Sequence, residues 1–489
     1  MRYSIGFIML ILLIFAAVGF VFVHADTSDV CTSGCNYKSI QSAIDAASPN
    51  NTIKVSTGTY VENLYINKSI IIKGAGLGKT IIDRPRENNL YGSTVTTGPN
   101  IGVTLSGLNI QGGTGTILDA KYGGGILNDG ILALRDCSIS NNTADYGGGI
   151  YNRNGAILSL HNCFIHNNIA LDGGGIYNSE GGTIDIDGGM ITNNSADGGG
   201  IFNLGTLNLN SGYIINNRGQ DGGGIYNFVS GILNLNGGYV SNNSVNQRNG
   251  NGGGIFNNDG IINMNNGNVT GNTAIWGGGV FDYGTMIQSG GSIDHNTAYL
   301  GGGIYQLGLA DDLLYHTIEE RMLTLKGGSI SYNTAVRDNN SGVPDTGSGG
   351  GVYADLAGAI TLDGGHIFGN KASVGGGICI NQRALTIKSG SVDHNTATYG
   401  GGVFNSGPMT QTGGSISYNT ATIDGGGIYL MGVTELKRHI LARGSLNLKD
   451  GSIDNNTAPI GGGIFNDRSM ISGNTVLVKN NKPYQIESS

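Results

Sequence analysis

The residues that could do chemistry recur at fixed intervals, so each belongs to a column of like residues. Asp172, Asp197, Asp221 and Asp424 each stand immediately before a Gly-Gly-Gly triplet. Carboxylates stacked in this way repel unless a cation sits between them, and calcium accepts carboxylate and carbonyl oxygens. Asp172, Asp197 and Asp221 are therefore the candidate metal ligands, with a solvated acidic edge as the plainer reading. No cofactor other than calcium is expected. Tyr151, Tyr177, Phe202 and Tyr226 follow successive triplets in one slot. If the Ile before each ring points inward, the rings form an outward column that could stack on sugars or pack on a partner. Leu127 and Cys379 in the same slot favour plain packing. Trp276, the single tryptophan, precedes a triplet and is a further candidate for ligand contact.

Other patterns suggest covalent chemistry. Cys31 and Cys35 are spaced for a local disulfide, and no His or Cys cluster follows that would make them a zinc site. Cys137 and Cys163 each lie ten residues before a triplet. Stacking in register would bring their Cα atoms to ~4.8 Å, within disulfide range, so a bridge is expected. Sequons at Asn67, Asn141, Asn193, Asn242, Asn268, Asn339 and Asn455 are candidate glycosylation sites. No catalytic residue is assigned. The carboxylate pairs Asp311-Asp312 and Glu319-Glu320 fall on an insertion. Asp294-His295 and Asp393-His394 share one repeat slot and read as outward corner polarity. Gly74 to Thr80 imitates a phosphate loop, but Lys73 stands where the first glycine is required.

The elements that must position these residues come from a repeat. Thirteen triplets begin between Gly123 and Gly461, mostly 24 to 26 residues apart. Each is followed by Ile or Val, then usually Tyr or Phe. Within Gly198 to Gly222, Ile201-Phe202, Leu207 to Leu209 and Tyr213 to Ile215 are short apolar stretches, and the second alternates as a half-buried strand does. Gly, Asn and Ser fill the joints. Three short strands and three corners make one coil of a solenoid. The fold class is all-β, a single-stranded parallel β-helix, right-handed by the usual parallel crossover. Every coil also carries Ile or Val, two residues, then Asn, from Ile139/Asn142 to Ile471/Asn474. These asparagines read as a structural amide ladder. Ile40, Ala43, Ile44 and Ala47 lie at helical spacing and predict a short helix that caps the open end of the stack.

Composition sets the bounds. The chain has 489 residues, 89 of them glycine and only 7 proline, which excludes collagen. With 38% hydrophobic residues and a net charge of −8, a folded chain without basic nucleic-acid patches is expected. Ile5 to Val23 is apolar, and Val23-His24-Ala25 resembles a cleavage site, so residues 1–25 read as a secretory signal. No membrane span is expected after its removal, and the product is secreted or held at the cell surface. Residues 26–122 form the cap and first irregular coils, and 123–489 the regular ones. Insertions interrupt these near 307–322, 337–348 and 431–443.

Two resemblances cover most of this chain. Residues 37–83, with Tyr37-Lys-Ser-Ile, Thr-Ile-Lys-Val-Ser-Thr-Gly-Thr-Tyr60 and Lys68-Ser-Ile-Ile-Ile-Lys-Gly-Ala-Gly, resemble the opening of pectin-lyase-like β-helix proteins. The coils from Gly123 resemble the polymorphic outer-membrane protein repeat, with Gly-Gly-Gly-Ile and Ile-x-x-Asn replacing its Gly-Gly-Ala-Ile and Phe-x-x-Asn. Together they imply an adhesin-like surface protein of the type found in methanogenic archaea and some bacteria. Its implied partners are extracellular polysaccharide or other cells. Bacterial members end in a β-barrel, and no such segment follows the last coil here. The pectin-lyase-like resemblance also implies an alternative, a polysaccharide lyase or glycoside hydrolase. Its signatures Asn-Thr-Asp, Gly-His-Gly and Arg-Ile-Lys are not present. A structural spacer is the third reading.

Overall fold

Each coil begins where a glycine triplet ends. Ile126, Ile150, Ile176, Ile201 and Ile225 follow successive triplets and are fully buried. Their β-branched side chains are stiff at χ1 and pack well on a pleated surface. They stack in a parallel ladder that runs from Leu64–Ile66 to Ile486–Ser488. A second ladder runs from Thr27–Val30 through Ile131–Arg135 to Met470–Gly473. The third runs from Gly58–Val61 through Ser138–Ser140 to Val478–Lys479. In this computed structural model the chain is a parallel β-solenoid of about 16 turns, as expected. The structure describes residues 27–86, 92–245, 250–308, 321–338, 346–355, 359–432, 435–436, 439–440 and 444–489. The expected signal, residues 1–25, and most of the three insertions lie outside them. Among the described residues, no helix is long and apolar enough to cross a membrane.

The triplets are a packing device. Gly147 turns the chain at φ 66°, a left-handed conformation that suits glycine. A Cβ on Gly148 would lie 2.6 Å from the Gly174 carbonyl oxygen, and one on Gly149 2.5 Å from that of Gly175. Coils could not approach closely enough to pair with any side chain there. One local expectation needs correction. The second and third stretches of several coils are a single bent strand, as in Thr206–Ile215. The backbone keeps pairing through the bend at Gly212 by shifting register.

The capping helix is Ile40–Ala46, with Ile40, Ala43 and Ile44 buried. Ser39 caps it, and Glu62 accepts hydrogen bonds from Ser39 Oγ and from the Ile40 and Gln41 amides at 2.7–3.0 Å.

Inside the solenoid, asparagine satisfies what the apolar ladders cannot. Asn142, Asn168, Asn194, Asn217 and Asn243 begin an unbroken buried amide column. Each Nδ2 donates to the next Oδ1 and to a backbone carbonyl on the preceding coil, as Asn243 does to Asn272 and Ile214. The column ends on Asn481, not on Asn474. Ile471 pairs with Leu446 in the second ladder, and Val478 supplies the expected apolar position.

A second buried column was not anticipated. It runs Thr97, Asn128, Asn152, Asn178, Asn203, Asn227, Asn257 and then Asp282. Asp282 is fully buried. It accepts from Asn257 Nδ2 at 2.6 Å and from the Gly284 amide at 3.1 Å. Its Oδ2 and the side-chain amide of Gln306, its neighbour on the next coil, make no hydrogen bond of good geometry, though Gln306 lies close enough to favour the ionised carboxylate. Burial pushes the Asp282 carboxyl up to about 7, against the donors and the Arg321 charge that favour ionisation.

Two predictions follow from these columns. Asn243→Leu removes four hydrogen bonds, leaves the Asn217 amide N–H without its acceptor, and is expected to cost about 1–3 kcal/mol in denaturant unfolding. A carboxyl whose folded pKa is raised binds more protons folded than unfolded, so its contribution to stability falls as pH rises from about 4 to about 7. Asp282→Asn should remove that slope, raising stability by roughly 2–4 kcal/mol at pH 8 and by little at pH 4. Thermal melts across that range check it, and a variant no more stable than the parent at pH 8 contradicts it.

Candidate functional site

The aromatic column is real but is not a free surface. Tyr151, Tyr177, Phe202 and Tyr226 stack at centroid distances of 4.8–5.1 Å, and the column continues through Phe256, Phe281, Tyr305 and Tyr353. Phe202, Phe256, Phe281, Tyr305 and Tyr353 are buried, and Tyr151, Tyr177 and Tyr226 are half-buried. The rings point out of the lumen, as expected. They are then covered by the residues before the triplets, which the turn at the first glycine folds across them. Half-buried Trp276 and buried Leu300 pack there, so Trp276 belongs to this second apolar core. Burial pushes the Tyr226 hydroxyl up to about 12. The expectation that these rings present themselves to a ligand is corrected for buried Phe202, while Tyr151, Tyr177, Tyr226 and Trp276 keep partial exposure.

Three of the carboxylates do stand on successive coils. A short extra ladder, Ile169–Asp172, Ser195–Asp197, Arg218–Gly219 and Ser244–Val245, precedes the triplets there and pairs Asp172 with Asp197. Asp172, Asp197, Arg218 and Gln220 line a cavity of about 290 Å³. Burial, then the charges of Asp172 and Asp221, push Asp197 up to about 6. Burial also raises Asp172 and Asp221. One Asp197 oxygen is buried without a partner, whereas Asp221 accepts from the Asn251 amide at 2.8 Å. Among the described residues no group of three or more His, Cys, Asp or Glu is placed to hold a metal ion. A calcium ion here would need backbone carbonyls to complete its shell.

An exposed face of different composition was missed by the sequence reading. Tyr213 and Tyr239, on adjacent coils, stack at 5.1 Å and 9°, and are 45% and 40% exposed. Phe164, two coils before Tyr213 in the same ladder, is 39% exposed. Across the bend of the same strands lie two outer polar rows. Asp185, Asn208, Asn234 and Asn263 are linked amide to oxygen at 2.7–2.9 Å. Asp187, Asn210, Asn236 and Asn265 are linked likewise at 2.9–3.0 Å. The signal was present as a Tyr at one position of the third stretch in two consecutive repeats. It was hidden because outward and inward positions look alike without a register.

The remaining assignments divide. Cys31 and Cys35 are joined as a disulfide, with Cα atoms 5.6 Å apart. Cys137, Cys163 and Cys379 are buried and not disulfide-bonded, so the expected bridge is not formed. In-register neighbours project in parallel at the coil spacing of ~4.8 Å, whereas a disulfide requires Cβ atoms about 3.5–4.5 Å apart. The Cys163 thiol is instead pushed up by its hydrogen bond with Cys137 and by burial. Asn67, Asn141, Asn193 and Asn242 are exposed, Asn268 and Asn455 half-buried, and Asn339 lies outside the described residues. Gly74 to Thr80 is a structural turn, closed by Thr80 Oγ1 on the Val55 and Ser56 carbonyls.

No protein-family model matches the chain, and no curated protein does. Solved structures with some likeness include the catalytic domain of a GH87 alpha-1,3-glucanase variant in complex with nigerose. It is 11% identical, covers 94% of this chain and 69% of its own, and has a TM-score of 0.33. Pectin methylesterase from carrot is also 11% identical, over 94% of this chain and 91% of its own, with a TM-score of 0.17. Neither likeness is close enough to transfer an activity. The cysteine geometry predicts three reactive thiols per chain after denaturation without reductant, and a titre of one would restore the Cys137–Cys163 bridge.

Proposed function

We propose that this chain is an exported, adhesin-like surface solenoid that binds polysaccharide without cleaving it. The observation that carries this reading is the Tyr213–Tyr239 face. The outer faces and edges of the two stacked rings offer exposed apolar surface of the kind that sugars pack on. The neighbouring amide and carboxylate rows offer donors and acceptors at a fixed repeat. These side chains are held by one another, so little freedom is lost when a ligand docks. A linear glycan laid across several coils would meet the same groups at each step. The polymorphic outer-membrane type of repeat and the secreted or surface location belong to this proposal.

Retention on a panel of immobilised neutral and acidic glycans, with product analysis of the eluate, tests it. Tyr213→Ala with Tyr239→Ala is expected to weaken retention about tenfold, or ~1.4 kcal/mol, with the melting temperature nearly unchanged because both rings are exposed. Release of shorter products would replace this reading with a lyase or hydrolase. Neither retention nor release would leave a spacer.

A further inference from the structure

The corner just before each ladder asparagine is left-handed. Asn fills it at Asn141, Asn167, Asn193, Asn216, Asn242 and Asn455, with φ between 52° and 57°. Asn and His enter this region at modest cost, whereas the bulky Tyr ring is strained there. Four coils nevertheless place rings at it: His295, Tyr332, His394 and Tyr418, with φ of 53–54°. Strained residues persist where something else selects them, and they cluster at functional sites.

These four positions fall on consecutive coils, interrupted only by Gly369, because Asp294, Ser331, Phe368, Asp393 and Ser417 pair in register just before them. His295 stacks on Tyr332 at 5.3 Å, and His394 on Tyr418 at 5.2 Å. A Cβ on Gly369 would meet the Tyr332 ring at 2.7 Å, so glycine lets that ring lie across the gap between the pairs. Tyr332 and Tyr418 are 53% and 54% exposed, and both imidazoles are 66% exposed.

The two pairs are built alike. Ser292 donates to Asp294 Oδ2 at 2.5 Å, and His295 Nδ1 lies 3.0 Å from Asp294 Oδ1. Ser391 donates to Asp393 Oδ2 at 2.5 Å, and His394 Nδ1 lies 2.9 Å from Asp393 Oδ1. The carboxylates are thus already occupied and hold the imidazoles in place. Nδ1 is engaged by the carboxylate, which leaves Nε2 of each exposed imidazole for another hydrogen-bond partner. The pairs start three coils apart, roughly 14 Å at ~4.8 Å per coil.

We propose that His295–Tyr332 and His394–Tyr418 are two equivalent subsites for a linear neutral polysaccharide lying along the solenoid axis. The rings pack on sugar faces, and the exposed imidazoles hydrogen-bond sugar hydroxyls, which can donate or accept. Asp294 and Asp393 beside them disfavour a polyanion. Duplication at a whole number of coils matches a periodic chain, and engaging both subsites multiplies affinity.

The test is calorimetry on the full mature chain, with β-1,4-, β-1,3- and α-1,4-linked glucose oligomers from dimer to octamer. At least one series should show an affinity step on the order of 10²-fold once the oligomer spans both subsites. His394→Asn with Tyr418→Asn restores the residue this corner carries elsewhere, so it should fold with an equal or higher melting temperature and abolish the step. His295→Asn with Tyr332→Asn should do the same. Binding of no oligomer, or an unchanged step in both double variants, overturns the proposal. So does a step abolished by Tyr213→Ala with Tyr239→Ala alone, which would assign the ligand to that face and leave the proposed function standing.

Discussion

Within the described coils, a ladder residue has a counterpart ~4.8 Å above and below it. A position can therefore hold only a side chain that tolerates its own copy at that distance. Ile on Ile gains contact, and the ladder beginning at Ile126, Ile150 and Ile176 is sealed from solvent. Asn on Asn gains a hydrogen bond, since an amide is donor and acceptor at once. That self-complementarity lets asparagine line a dry interior, with spare protons taken by carbonyls such as that of Ile214. Rings on rings gain stacking, and the column from Phe256 to Tyr353 becomes a second core outside the first.

Groups that do not suit their own copies show the same constraint from the other side. Asp172, Asp197 and Asp221 form a column of like charge, and Asp197 in the middle is raised by both neighbours as well as by burial. Asp282 ends an amide column because a carboxylate can accept from Asn257 but has nothing to pass on to Gln306 unless it is protonated. Cys137 and Cys163 are neighbours that meet by a hydrogen bond and stay unbridged. On the outside, where water relieves the constraint, composition varies from coil to coil. The exposed ring faces at Tyr213–Tyr239 and at His295–Tyr418 lie there.

Much of this was legible in the sequence. The triplet period gives the coil, and alternation in Leu207 to Leu209 gives a strand with one buried face. The helix over Ile40 to Ala46 follows from its apolar spacing. The first asparagine column was legible because its motif recurs with the coil. The second escaped notice, although Asn follows the ring in Ile150-Tyr151-Asn152 and its equivalents. An Asn after an aromatic reads as surface until the register turns it inward. The last rung was misplaced for a related reason: Ile471-x-x-Asn474 and Val478-x-x-Asn481 carry the same pattern, and only pairing with Ile453 selects the second.

The sequence by itself determined the repeat, the parallel stacking and the identity of the residues that meet, because periodicity brings like residues together at the coil spacing whatever the details. Which side of the wall each residue occupies was decided by tertiary structure. The turn at the first glycine of each triplet folds the preceding residue over the rings, so a column that looked available to a ligand is largely covered. The bend in the long strands leaves Tyr213 and Tyr239 in water. A left-handed corner turns His295 and Tyr332 outward while the next residue, Asn296 or Asn333, points into the core. These outcomes depend on backbone angles of single residues, which a period counts but does not orient.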